Sequence, residues 1–337
     1  MEIALAVPLS VKDCLKRGAL VTAANWHVVL VQFVADALFK TLLAVPVVGG
    51  VFLVVLLIGG DPSDLLSLPV GDILPTMASV LLAQPVALAA FLLAMLLVLF
   101  GGSLMMFVVK GGTVAILVAA ERGAGAIEHP PLRMSALRRA ALFSLDGFTS
   151  GAERLFPRYL RLGLGLMLVY AASTAASLAL VFGPGDHEHW QLVAAVASIV
   201  LVAWITACNF LYLLVQVIIA AEDCEVGDAV RRVATLVRLR FRTVAAIFIA
   251  TLGLVLLTTA ASILATAALG LIAFVPLVGL AALPLQLIAW LVRGVVFQYI
   301  GLTSLVAYTR VRRSMVEAVE ARVPFPAETA TARRASH

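Results

Sequence analysis

The 337-residue chain is 63% hydrophobic and only 13% charged, with a mean hydropathy of +1.09. Soluble domains carry about 25% charged residues, so a water-soluble globular fold is excluded. The net charge of +5 and pI near 9.4 would suit nucleic acid, but the bases flank apolar runs and no nucleic-acid-binding motif is present, so topology explains them better.

Several apolar runs exceed the roughly 18–20 residues that cross a bilayer, so the chain is an integral membrane protein. The composition, rich in Ala, Leu and Val and with 20 Arg against 4 Lys, points to a GC-rich bacterial genome. The expected location is therefore the bacterial cytoplasmic (inner) membrane.

The N-terminal segment MEIALAVPLSVKDCLKRG places Lys12, Lys16 and Arg17 after its short apolar stretch. A cleaved signal peptide has the reverse order and a small-residue cleavage site, so no cleavage is expected. The first span begins at Trp26, an interface anchor, and extends over 26–58. Pro46, Gly49 and Gly50 interrupt it, as a kink or as a stop and restart. Residues 59–76 are a Gly- and Pro-rich loop with three acids and no base.

The second span occupies 80–110 within an apolar run reaching 120, and the glycine pairs 101–102 and 111–112 either break that run or let a tilted helix continue. A polar connection with short helices, 121–161, leads to the third span, 162–182, the turn GPGDHEH and the fourth span, 190–220.

Between the fourth and fifth spans, residues 219–242 read IAAEDCEVGDAVRRVATLVRLRFR. Val226, Val230, Val233, Val237 and Phe241 recur at helical spacing, with Arg231, Arg232, Arg238 and Arg242 off that stripe. Acids at the start and bases toward the end suit the helix dipole. Such a helix is expected to lie among lipid headgroups with its arginines facing them. Packing on a soluble partner is the alternative. Weaker versions occur at 11–25 and 136–161. The fifth span covers 243–274 and the sixth 281–307, so residues 1–310 form one membrane domain followed by a mobile polar tail, 311–337.

Lysines and arginines number three before the first span, seven between the second and third, five between the fourth and fifth, and six in the tail. The loops 59–76, 183–189 and 275–280 have none. The positive-inside rule then gives six spans with both termini cytoplasmic. The fold class is all-α, a polytopic membrane protein with interfacial amphipathic helices.

Short matches suggest internal repetition. Asp13–Arg17 resembles Asp228–Arg232, Val45–Gly49 resembles Val275–Gly279, and Ala119–Glu121 resembles Ala220–Glu222. They fit three parallel helical hairpins, with chance similarity between apolar spans as the alternative, and do not fit the inverted repeats of many transporters. Small residues at every fourth position, Thr258, Ser262, Thr266 and Gly270, and Ala171, Ala175 and Ala179, offer close helix packing.

Ala220-Ala-Glu-Asp223 followed by Gly227-Asp-Ala-Val-Arg-Arg232 resembles the membrane domain of bacterial glycerophosphodiester phosphodiesterases and related uncharacterised six-span families. The resemblance covers 215–250 and implies a membrane fold. The phosphodiesterase activity is not expected here, because about 27 residues follow Arg310 and a soluble catalytic domain needs more.

Chemistry-bearing motifs are sparse, and no catalytic residue or cofactor is implied. Cys14, Cys208 and Cys224 are too scattered for a disulfide framework or metal cluster. His187 and His189, flanked by carboxylates, form a weak candidate for a divalent ion, with a solvated turn the commoner outcome. The sharper candidates are the ionisable groups within the spans. Asp36 and Lys40 are four apart and can pair, whereas Lys110 and Arg293 need partners from other spans. A charge at the bilayer centre costs at least ~2.5–3.5 kcal/mol, so it faces a partner, a wet cavity or the bundle interior. A structural ion pair with snorkelling bases is the plainer account. The preferred function is a non-enzymatic accessory, scaffold or assembly component in contact with anionic lipid headgroups and a membrane protein complex. The alternative is a transporter, channel or lipid-handling protein using the four charges, and a membrane enzyme ranks third.

Overall fold

A computed structural model describes residues 10–59, 79–128, 134–182, 190–273 and 278–320. These form helices, with no strand among the described residues. In order they are α1 (Val11–Ala24), α2 (Trp26–Ile58), α3 (Pro85–Gly123), α4 (Met134–Ala140), α5 (Leu145–Phe182), α6 (Trp190–Glu222), α7 (Val226–Ala273) and α8 (Val278–Glu320). Six of them, α2, α3, α5, α6, α7 and α8, are long and apolar enough to cross a bilayer, so the protein is an all-α polytopic membrane protein.

The long helices are more continuous than the residue pattern suggests. Pro46 lies inside an unbroken α2, and α3 runs through both glycine pairs for 39 residues. Neighbouring helices explain the glycines. A Cβ on Gly112 would sit 2.7 Å from the Phe148 ring, and one on Gly111 would sit 3.2 Å from the Ala152 backbone, so these positions let α5 approach α3 closely. The expected alanine seam of α5 does not pack in this way, since Ala171, Ala175 and Ala179 are exposed.

The amphipathic segment before the fifth span is likewise not a separate helix. It is fused to the span in α7, and the direction changes at Arg240, whose φ of −125° and ψ of 30° leave the helical region. Its buried ridge is Ala229, Val233 and Leu236, while Val230 and Phe241 are exposed. At the end of the chain α8 continues through 320, so residues 311–320, expected in a mobile tail, are helical instead.

The long helices pack in chain order. Each long helix packs on the next, α2 on α3, α3 on α5, α5 on α6, α6 on α7 and α7 on α8, and α8 closes the ring on α2. The second members of the three hairpins, α3, α6 and α8, also touch one another. They form an inner triangle, with α2, α5 and α7 outside it. This arrangement agrees with parallel helical hairpins. Of the three sequence matches, the one involving Val275–Gly279 falls partly outside the described residues.

The buried core gathers toward one end of the triangle, around Leu117, Leu214, Ile218 and Val306. The short helices seal this end. Gly18 of α1 rests on the Thr303 carbonyl of α8, and Tyr299 Oη donates to the Ala19 carbonyl at 2.9 Å. Asn25, fully buried, breaks the chain between α1 and α2. Its Nδ2 donates to the Val21 and Ala140 carbonyls at 2.9 and 2.7 Å, and its Oδ1 accepts the Leu142 amide at 3.0 Å. One amide thereby joins backbone groups at two chain breaks, after α1 and after α4.

Candidate functional site

The crossing of α2 and α8 brings together residues far apart in sequence. Gly294 makes the crossing close, since any Cβ there would collide with the Phe33 ring. Beside it opens a cavity of about 390 Å³ lined by residues that include Asp36, Lys40, Arg293 and Gln298 among the rings of Phe33, Trp290 and Phe297. Three of the four intramembrane candidates therefore share one groove. Asp36 and Lys40 pair at 2.7 Å as the four-residue spacing predicts. The Arg293 guanidinium lies 5.4 Å from the centre of the Phe297 ring, one turn along its own helix, so its aromatic partner is local and not from another span.

Lys110 is the exception. It lies outside the groove, with Nζ 5.1 Å from the centre of the Tyr212 ring on α6. Its partners do come from other spans: the Tyr212 ring on α6, and Asp36 of α2, whose charge acts on it.

Asp36 is ten residues into α2, about 15 Å along a helix rising 1.5 Å per residue, which is roughly half of a 30 Å hydrocarbon layer. At that depth the Asp36 side chain is 24% exposed and that of Lys40 64%. The groove therefore opens sideways to lipid. With two bases against one acid it carries a formal surplus of one positive charge, and its aromatic rims suit a cation or a flat apolar surface. Such a site can hold a carboxylate or phosphate oxygen between Lys40 and Arg293.

No family model, curated protein or solved structure matches the chain.

The other basic candidates divide into two groups. Arg231, Arg238 and Arg242 are exposed, and among the described residues the one acid any of them approaches is Asp228, 4.0 Å from Arg231. Arg232 instead pairs with Glu222, which also takes Arg312. His187 and His189 lie outside the described residues, and among those described no cluster of three or more potential metal ligands occurs.

Missing from the residue-level reading is a buried ion network at the sealed end. Arg17 is 2% exposed, and its Nε donates to Glu121 Oε1 at 3.0 Å while Nη1 donates to Glu128 Oε2 at 2.7 Å. Nη2 donates to the Glu121 carbonyl at 2.8 Å, and Arg313 approaches Glu121 Oε2 at 3.5 Å. Burial works against ionisation of Glu128, but its own backbone hydrogen bond, the bond from Arg17 and the charges of Arg17 and Arg310 together hold its carboxyl below the usual range.

Two of the short sequence matches fall on this network. The matched arginines, Arg17 and Arg232, each pair with one of the matched glutamates, Glu121 and Glu222, and α8 supplies a second arginine to each. Reading the two matches as partners, and not as parallel decorations, would have found it. Around α5 a third group forms, with Arg158 and Arg154 on Asp223 and with Arg158 and Arg161 on Glu225. Arg158 leads the causes that hold the Asp223 carboxyl below its usual range.

Proposed function

We propose that this protein is a non-enzymatic accessory or assembly component of the bacterial cytoplasmic membrane, with both termini inside the cell, and that it seats a partner's membrane segment in the α2–α8 groove. The supporting observation is the open placement of Asp36, Lys40 and Arg293 near mid-span. Ionisable groups there are costly when they face hydrocarbon, and a partner that covers them removes the cost. The positive surplus selects a partner segment bearing a carboxylate. The resemblance of Ala220–Asp223 and Gly227–Arg232 to phosphodiesterase membrane domains supports a membrane role without adding a reaction.

The ion network supports a scaffold in a second way. It ties α1, α3, α6, α7 and α8 together at one end, leaving the sealed end rigid beneath the groove.

The test is affinity capture from native membranes in mild detergent, comparing the unaltered chain with Lys40→Met and Arg293→Met. Truncating one partner of a buried charge pair costs ~2–5 kcal/mol, so capture should fall by about tenfold or more while protein level is maintained. Undiminished capture by the double variant would refute the proposal. Solute flux through the reconstituted protein, lost in the same variants, would favour the transport reading.

A further inference from the structure

A second cavity, independent of the polar groove, lies on the opposite part of the ring where α5, α6 and α7 meet. It encloses about 700 Å³, within the ~300–1,000 Å³ typical of small-molecule sites. The valines expected to face the membrane, Val226, Val230, Val233 and Val237, line it along α7. The stripe thus roofs a cleft and does not simply float on lipid.

The cleft does not stop there. Leu162, Leu166 and Val169 of α5 line it, and one turn further Ser173, Ala176 and Leu180 line another cavity of about 580 Å³. These positions recur every three or four residues, so a single face of α5 runs through both. Val215, Tyr212, Cys208 and Trp204 trace the matching face of α6. From Leu162 to Leu180 the track is about 27 Å long at 1.5 Å per residue.

Charge is confined to one end of this apolar track. Arg161 and Arg238 are the charged residues among its lining, both at the α7 cavity. Arg161 meets Glu225 at 2.8 Å, whereas Arg238 is exposed and forms no ion pair among the described residues. An open apolar groove, with an arginine at one end that forms no ion pair among the described residues, complements a molecule with a long hydrocarbon tail and an anionic head.

We infer that the α5–α6–α7 cleft binds one anionic phospholipid, its acyl chain lying along α5 and α6 and its phosphate held by Arg238 with Arg161. A guanidinium fork suits phosphate oxygens better than a point charge does. The acyl chain fills space that no protein side chain occupies. Gly165 shows this directly, since it lines the cleft and a Cβ added there would meet nothing within 4 Å.

The experiment is native mass spectrometry of the full-length protein, titrated with phosphatidylglycerol and with phosphatidylethanolamine of identical chains. The unaltered protein should bind phosphatidylglycerol about tenfold more tightly or better, a difference of one decade in Kd. Arg238→Gln should bring the two lipids toward parity. Gly165→Leu, placed where an added Cβ meets nothing within 4 Å, should fill the cleft and lose both while the protein elutes as a folded species. Equal binding of the two lipids by the unaltered protein would overturn the inference, as would an unchanged preference in Arg238→Gln. A polypeptide cross-linked from position 165 in place of lipid would also overturn it.

Discussion

Replacing Arg17 with methionine isolates the buried ion network. The substitution keeps most of the side chain's length and apolar stem but removes four hydrogen bonds, to Glu121 Oε1, the Glu121 carbonyl, the Gly125 carbonyl and Glu128 Oε2. Two carboxylates then remain in a space where their side chains are 0% and 8% exposed. Breaking a buried pair by removing one member costs ~3–5 kcal/mol, because the surviving charge is left desolvated. Arg313, 3.5 Å from Glu121, and Arg310, 4.0 Å from Glu128, offset part of this, which places the expectation near the lower figure. Thermal denaturation in detergent, followed by size-exclusion recovery, should show a midpoint about 4 °C lower. Arg231→Gln, whose parent side chain is 87% exposed, serves as the control and should leave the midpoint unmoved. The double variant Arg17→Met/Glu121→Leu should be more stable than Arg17→Met, since it removes one stranded charge along with its partner. If Arg17→Met melts with the Arg231 control, or if the second substitution only adds damage, the network does not hold this end together.

Four further outcomes follow from the same geometry. Glu128 has a folded-state pKa below its unfolded value, so its stabilisation is complete above the unfolded value of about 4.3 and is lost as pH falls through the depressed one. Acid titration of Glu128→Gln should therefore show a shallower decline below about pH 4 than the parent. Gly18→Ala should destabilise by about 1–3 kcal/mol, because the new methyl meets the Thr303 backbone, which cannot rotate away. Gly101→Ala has open space around it and should be neutral or better in the same melt, owing to the higher helix propensity of alanine. Burial pushes the Cys14 thiol up to about 11, so maleimide should label it very slowly at pH 7–8 in the folded protein and rapidly after unfolding. Fast labelling of Cys14 in the native state would contradict the docking of α1 on α8.

The six spans were legible in the sequence because hydropathy is a local property, and a helix in lipid must satisfy its backbone within itself. The gathering of basic segments at one end was legible for the same reason. Continuity was not. The glycine pairs of α3 look like breakers until Phe148 and Ala152 of α5 are seen against them, and nothing local separates a fused from a free amphipathic segment around Arg240.

The candidate site divides along the same line. The Asp36–Lys40 pair follows from one helical turn, but Arg293 joins it only through the crossing at Phe33 and Gly294, some 260 residues apart. Lys110 does not line that groove and faces Tyr212, although the Asp36 charge still reaches it. The Arg17–Glu121 pair spans 104 positions, and its trace in the sequence was the two short matches that contain Arg17 and Glu121.

The most direct test of the proposed function places a photo-reactive amino acid at Ala37, between Asp36 and Lys40 on the groove wall, and irradiates intact cells. A discrete cross-linked protein band, lost on Lys40→Met, is the predicted result. Cross-linking to lipid alone, with no protein band in either chain, would contradict it.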